Sequence, residues 1–241
     1  IGLLAGLGIE HVRAVPCPTV SILSTGPELL DRSLTSQVND ANGPMLAALA
    51  QTAGAEVVDI SRSAGDIDDL FDHLDNFATT SDLVITSGGI SNSLADTMAD
   101  LLDGHPRAEL WEVRLRPGKH FGFAWFEDFA MLSLPGNPVA ALVGFELFGR
   151  TLIDRMAGKP AVSAVWSTAD QPISGKLGRT DAVRGRAWHE SMGRLMAAPI
   201  ENRGSSVLSS LPDANCLILL PEDMASAEPG DPVFIQWMGY H

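Results

Sequence analysis

From residue 19 to residue 157 the chain alternates short apolar runs with longer amphipathic ones, and after Gly158-Lys159-Pro160 that alternation stops. Parallel strands need long crossovers, usually helices, so an alternation of this kind points to a sheet covered on both faces. Thr19–Leu23, Glu56–Ile60 and Asp82–Thr86 read as strands. Pro44–Ala53 repeats Met45, Leu46, Leu49 and Ala53 at helical spacing, with Gly54 as its stop. Asp66–Phe77 sets Ile67, Leu70, Phe71 and Leu74 on one helical face, and Asp96–Leu102 is also helical in pattern. Leu110–Leu115, Phe121–Phe126 and Ala130–Leu134 are further strands. Asn137 is a natural N-cap, and Pro138 fits the first turn of a helix that runs to Met156. The expectation is a three-layer α/β/α domain built on a mostly parallel sheet.

Past residue 160 the apolar runs are short: Val162–Trp166, Ala182–His189, Leu195–Pro199, Cys216–Leu220 and Pro232–Trp237, separated by Gly and Pro clusters. That texture predicts a small all-β barrel or sandwich. The acidic excess divides at the same place, with 10 basic and 21 acidic residues before residue 161 and 6 and 9 after it. Three segments follow: residues 1–16 as the tail of a preceding region, 17–158 as the α/β domain and 161–241 as the barrel. The chain opens at Ile1 inside a short helical pattern (Leu3, Leu4, Leu7, Ile9), which reads as the interior of a longer protein.

A formal charge of −14 over 241 residues argues against a nucleic-acid binder or a membrane-surface protein, since both need a basic footprint. The most apolar helical stretch, Pro138 to Phe148, is too short to span a bilayer and carries Glu146. Cys17 and Cys216 fit no metal or redox spacing and read as two buried or half-buried thiols in a reducing, cytoplasmic setting. His73, His105, His120 and His189 share no ligand spacing and read as structural or exposed.

Ligands of open α/β sheets bind at the carboxyl ends of the strands. Three such ends carry small glycine-containing loops: Ser24-Thr25-Gly26, Thr86-Ser87-Gly88-Gly89 and Leu134-Pro135-Gly136-Asn137-Pro138. Glycine lets backbone approach a ligand closely, and N–H groups at a helix start attract phosphate. Each loop alone serves equally well as a tight turn. No Walker A, GxGxxG, HExxH or GxSxG motif occurs, which disfavours the commonest nucleotide, zinc-protease and hydrolase readings.

Several segments, in chain order, carry a family pattern. Ser24-Thr25-Gly26-Pro27-Glu28-Leu29 resembles an STGDEL motif, Asp40-Ala41-Asn42 a D-S-N segment, and Ser87-Gly88-Gly89-Ile90-Ser91 followed by Asp96 an SGGVSxGxxD loop. Arg116-Pro117-Gly118-Lys119 resembles a KPGK turn, and Leu134-Pro135-Gly136-Asn137-Pro138 an LPGNP loop. Gly178-Arg179, Arg184, Gly204-Ser205 and Leu208-Ser209-Ser210-Leu211 are similar to its C-terminal barrel. These are motifs of the MoeA/gephyrin E-domain family, the molybdopterin molybdenumtransferases.

The resemblance implies a molybdopterin-binding α/β domain followed by the family's C-terminal barrel domain. It also implies insertion of molybdate into the dithiolene of adenylylated molybdopterin, with Mg²⁺ as cofactor and AMP released. Thr25, Gly26, Ser87, Gly88, Gly89, Ser91, Gly136 and Asn137 would then hold phosphates and pterin, with Ser205 joining them from the barrel. Lys119 and Arg116 would offset the ligand's charge, and Arg179, Arg184 and Arg203 would close over it. Glu28, Asp40, Asp96 and Lys119 are the expected catalytic groups, Asp40 and Asp96 also as metal ligands. A homodimer is implied for the full-length protein, with domains absent from this chain completing the site; no nucleic acid or membrane partner is. This chain alone is expected to fold and bind but not to turn over.

Four departures from the pattern stand out: Pro27 for Asp, Ala64-Gly65-Asp66 for RDD, Ser93 for Gly and Arg116 for Lys. Pro27, Gly65 and Ser93 motivate an alternative, a non-catalytic molybdopterin-binding or scaffold protein on the same fold. A domain acting on another adenylylated or phosphorylated metabolite is a third reading.

Overall fold

Side chains alternate across the strand Thr19–Thr25: Val20 and Ile22 enter one apolar core, and Leu23 enters another. The same split recurs at Leu83 and Ile85 against Val84, and at Leu132 and Leu134 against Met131. Period-two alternation with both faces apolar requires helices on both sides. The computed structural model describes residues 1–30, 39–90, 97–161, 163–200 and 211–239.

In chain order the first part contains α1 (Gly2–Gly6), β1 (Thr19–Thr25), α2 (Pro27–Leu30), α3 (Asn42–Ala53), β2 (Glu56–Ser63), α4 (Ile67–Ala78) and β3 (Leu83–Ser87). It continues with α5 (Thr97–Asp103), β4 (Ala108–Glu112), β5 (Leu115–Arg116), β6 (His120–Trp125) and β7 (Ala130–Leu134). A long helix then comprises α6 (Pro138–Gly144), a π-helical turn (Phe145–Gly149) and α7 (Arg150–Met156). The remaining strands are β8 (Val165–Ala169), β9 (Ile173–Ser174), β10 (Thr180–His189), β11 (Leu195–Pro199), β12 (Cys216–Leu220), β13 (Ser226–Ala227) and β14 (Pro232–Trp237).

The first sheet has the order β2-β1-β3-β7-β6-β4, parallel through β7 and antiparallel beyond it. Helices α3, α6 and α7 cover one face, and α4 and α5 the other. The result is the three-layer α/β/α domain with a mostly parallel sheet. Strands β11, β8, β14, β12 and β10 form the second sheet, which a β10–β11 pairing closes into a five-stranded barrel. Gly54 ends α3 in the left-handed conformation, and Asn137 caps α6 by accepting from the Val139 and Ala140 amides at 3.1 Å.

Two expectations change. The run Leu110–Leu115 is not one strand: β4 ends at Glu112, and β5 joins the barrel sheet beside β10. The Arg114 carbonyl accepts from the Thr180 amide at 2.8 Å, which turns the chain out of the first sheet. Cys17 is exposed, its thiol donating to the Gly54 carbonyl at 2.9 Å, whereas Cys216 is buried. The segment that carries Cys17 precedes β1 and covers no apolar core. The expected strand from Val162 begins on an undescribed residue, and β8 starts at Val165.

The two domains share packing. Leu142 and Val143 of α6 sit against Ala182 and Leu217 of the barrel, and the Gln236 side-chain amide donates to the Glu146 carbonyl. Glu146, fully buried, holds Arg150 through two bonds, Nε to Oε2 at 2.7 Å and Nη2 to Oε1 at 3.0 Å. Removing one partner of such a pair strands a buried charge, so Glu146→Ala should cost about 3–5 kcal/mol in urea unfolding. Burial also pushes the Cys216 thiol up to about 12, so a thiol reagent at neutral pH should modify Cys17 alone and reach Cys216 only on denaturation.

Candidate functional site

Strands β1, β3 and β7 are parallel neighbours, so their carboxyl ends lie side by side. From β1 the chain goes outward to β2 and then crosses back past β1 to β3, so β1 and β3 flank a switch point where the connections part. The loops after these strands enclose a cleft of about 900 Å³. The starts of α3, α5 and α6 line it as well, through Asn42, Thr97 and Pro138.

The loops after β1 and β3 approach more closely than a side chain at Gly88 would permit, and the loop after β7 lies against them. Gly88 has φ +102°, and a Cβ there would lie 2.2 Å from the Thr25 carbonyl oxygen. A Cβ on Gly136 would reach to 3.4 Å from the Gly88 Cα. Hydrogen bonds tie the same loops. The Asn42 amide donates to Ser87 Oγ at 2.7 Å and to the Gly136 carbonyl at 2.9 Å, and Ser87 Oγ donates to the Pro135 carbonyl at 3.2 Å. A carbonyl can only accept, which fixes the orientation of the Asn42 amide and leaves its Oδ1 buried without a donor among the described residues.

Asp40 lines the cleft as a strut. Its Oδ1 accepts from Ser24 Oγ and from the Gly43 amide, both at 2.9 Å, and its Oδ2 lies 3.3 Å from Arg62 Nε. The carboxylate is 2% exposed. One acidic side chain therefore joins the end of β1, the start of α3 and the end of β2. A divalent cation needs carboxylate oxygens free to coordinate. Asp40 has donors on both, and no group of three His, Cys, Asp or Glu is placed to hold a metal among the described residues. These residues do not fit a Mg²⁺ site. Asp96, the other expected ligand, lies outside them, as do Ser91, Arg203 and Ser205.

The other expected residues divide into two groups. Thr25, Gly26, Glu28, Ser87, Gly88, Gly89, Gly136, Asn137 and Lys119 line the cleft together with Asp40. Lys119 Nζ lies 2.7 Å from Glu112 Oε1, and its ammonium holds the Glu112 carboxyl below its usual range, by hydrogen bond first and by charge second. Asn137 spends its side-chain oxygen on capping α6. Arg116, Arg179 and Arg184 are not cleft-lining residues. Arg116 Nε and Arg179 Nε lie 2.6 and 3.5 Å from Asp181 Oδ1 on the barrel, drawn there by a carboxylate only 1% exposed. Burial lowers the affinity of the Arg184 guanidinium for its proton.

Sequence reasoning gave no site role to Asn42, Arg62 or His120, the last of which it read as structural or exposed. Asn42 was within reach, two residues beyond Asp40 in the D-S-N segment. Arg62 and Asp40 are joined only by tertiary structure, and His120 follows Lys119 into the cleft. With the starts of three helices and the Lys119 ammonium converging on it, the cleft favours an anionic ligand.

The comparisons agree with this geometry. Residues 21–155 match the family described as "probable molybdopterin binding domain", and the chain belongs to that family. Residues 167–236 match the "MoeA C-terminal region (domain IV)", so the chain corresponds to the C-terminal two domains of MoeA proteins. It is 31% identical over 243 residues to a molybdopterin molybdenumtransferase of Haemophilus influenzae, covering 97% of this chain and 59% of that protein. Molybdopterin molybdenumtransferase 1 of Mycobacterium tuberculosis is 30% identical over 254 residues, covering 100% and 59%. The chain thus spans about three-fifths of the length of these curated relatives. The crystal structure of a molybdopterin biosynthesis MoeA protein from Pyrococcus horikoshii superposes with a TM-score of 0.78 at 23% identity, over 98% of this chain and 58% of that one, a likeness of fold.

Glycine at position 88 is the most sensitive element of the cleft. Gly88→Ala forces a side chain against the Thr25 backbone at a positive φ, and should lower unfolding stability by about 1–3 kcal/mol in a denaturant titration.

Proposed function

We propose that the cleft at the ends of β1, β3 and β7 binds molybdopterin, and that the protein acts in molybdenum cofactor biosynthesis as a molybdopterin molybdenumtransferase. The observation that carries this reading is the convergence of three glycine loops on one cleft in a chain of the molybdopterin-binding family. Loop amides and the Thr25 hydroxyl would bind the terminal phosphate and fix the pterin, with the Ser87 hydroxyl holding the loops beneath them. The Lys119 ammonium, half-exposed beside Glu112, would turn to the ligand and offset its charge. Asp40 and Asn42 would keep the three loops in register. In the whole protein the reaction would insert molybdate into the dithiolene of adenylylated molybdopterin and release AMP, in a homodimer of the cytoplasm. No helix among the described residues is long and apolar enough to cross a membrane.

The saturated carboxylate of Asp40, with Arg62 beside it, favours one second reading: a non-catalytic paralogue that binds the pterin. Complementation separates the two, because a full-length gene restoring molybdoenzyme activity to a deficient strain excludes the paralogue. For the binding step, anaerobic calorimetry of the 241-residue chain with molybdopterin should show association that Lys119→Ala weakens by about tenfold. A folded chain that takes up no molybdopterin would sink the proposal.

A further inference from the structure

Asp181 lies on β10 of the barrel with its side chain 1% exposed, and neither of its ion-pair partners among the described residues lines the cleft. Two guanidinium groups reach it, Arg116 Nε at 2.6 Å and Arg179 Nε at 3.5 Å from Oδ1. Neither carboxylate oxygen receives a directed hydrogen bond among the described residues, so charge rather than hydrogen-bond alignment holds the group. The backbone repeats the connection. β5 pairs in parallel with β10, Leu115 opposite Thr180 and Arg116 opposite Asp181. Three residues beyond Arg116 stands Lys119 of the cleft wall, and the Val113 amide donates to the Lys119 carbonyl at 2.8 Å, closing the loop. Gly118 inside it has φ +98°, and a Cβ there would meet Phe121 at 3.0 Å and Ala140 at 3.5 Å. The loop is thus gripped by the barrel at one end and wedged against α6 at the other.

We propose that Asp181 is a positioning residue for the cleft: it anchors Arg116 from the neighbouring domain and thereby sets where Lys119 stands. The proposal deepens the pterin-binding reading and rests on it for its effect on ligand. A buried carboxylate holds a cation more firmly than a surface one does, because little water competes for the carboxylate. Arg116, itself 46% exposed, would otherwise be a solvated side chain free to rotate. The barrel would then contribute to binding without any of its residues lining the described cleft.

The test pairs two measurements on the 241-residue chain with Asp181→Asn, Lys119→Ala, the double variant and Arg116→Gln. In calorimetry with molybdopterin, Asp181→Asn should weaken binding about five- to tenfold alone, and by less than about twofold once Lys119 is alanine. A purely structural Asp181 would show the same loss in both backgrounds, and that result overturns the proposal. In amide hydrogen exchange without ligand, Asp181→Asn should speed exchange at Val113 by about tenfold and leave the β12 amides unchanged. Arg116→Gln, made from the half-exposed side, should reproduce both changes, which covers the case that Asp181→Asn folds poorly. Unchanged Val113 exchange in a folded variant also overturns the proposal. If the parent chain binds no molybdopterin, the pterin reading fails while the exchange measurement still decides whether Asp181 holds the loop.

Discussion

The cleft depends on three backbone segments in close contact, two of them nearer than a side chain at Gly88 would allow, and on polar groups that make such an approach favourable. Gly88 sits over the Thr25 carbonyl and Gly136 over Gly88, so the loops after β1, β3 and β7 form a nearly continuous backbone surface. Backbone N–H and carbonyl groups crowded away from water must find partners. Asn42, Ser87 and Asp40 supply them, each bridging two or more segments. Parallel strand order makes the arrangement possible, since only parallel neighbours end at the same edge. Beneath the loops, the buried Thr86 and Ser133 hydroxyls pair at 2.8 Å across β3 and β7, which keeps polar strand ends satisfied inside an apolar core.

Much of this was legible in the sequence, for identifiable reasons. Strands with apolar residues on both faces and helices with a single apolar stripe leave clear periodicities, as at Leu83–Ser87 and Ile67–Ala78. Asn137-Pro138 announces a helix start by local chemistry alone. The glycine loops were visible because each follows an apolar run. Side-chain partnerships were not visible, because they join residues far apart in the chain. A carboxylate on a loop reads as a metal ligand until Arg62, 22 positions away, is seen beside it. Arg116 reads as a ligand contact until Asp181 is seen to hold it. Charge type can be read from composition; what each charge faces depends on the fold.

The seam at residues 113–119 is where the two domains are least separable. β5 is two residues long, follows a strand of the first sheet and pairs with a strand of the second. Packing of Leu142 and Val143 on Ala182 and Leu217, and the bond from Gln236 to the Glu146 carbonyl, fasten the same junction from the helical side.

That seam limits how such a protein can be taken apart and recombined. Domains joined by a flexible linker can exchange partners freely, because neither holds part of the other's structure. Here a barrel taken from elsewhere would have to present an open strand edge to β5, an acid opposite Arg116 and a small apolar face to α6, all in one register. A graft lacking any of these would leave Arg116 in solvent and the Arg114 carbonyl without its strand partner. The two domains are therefore expected to travel together through evolution as one inherited block, and engineered chimaeras should be cut elsewhere.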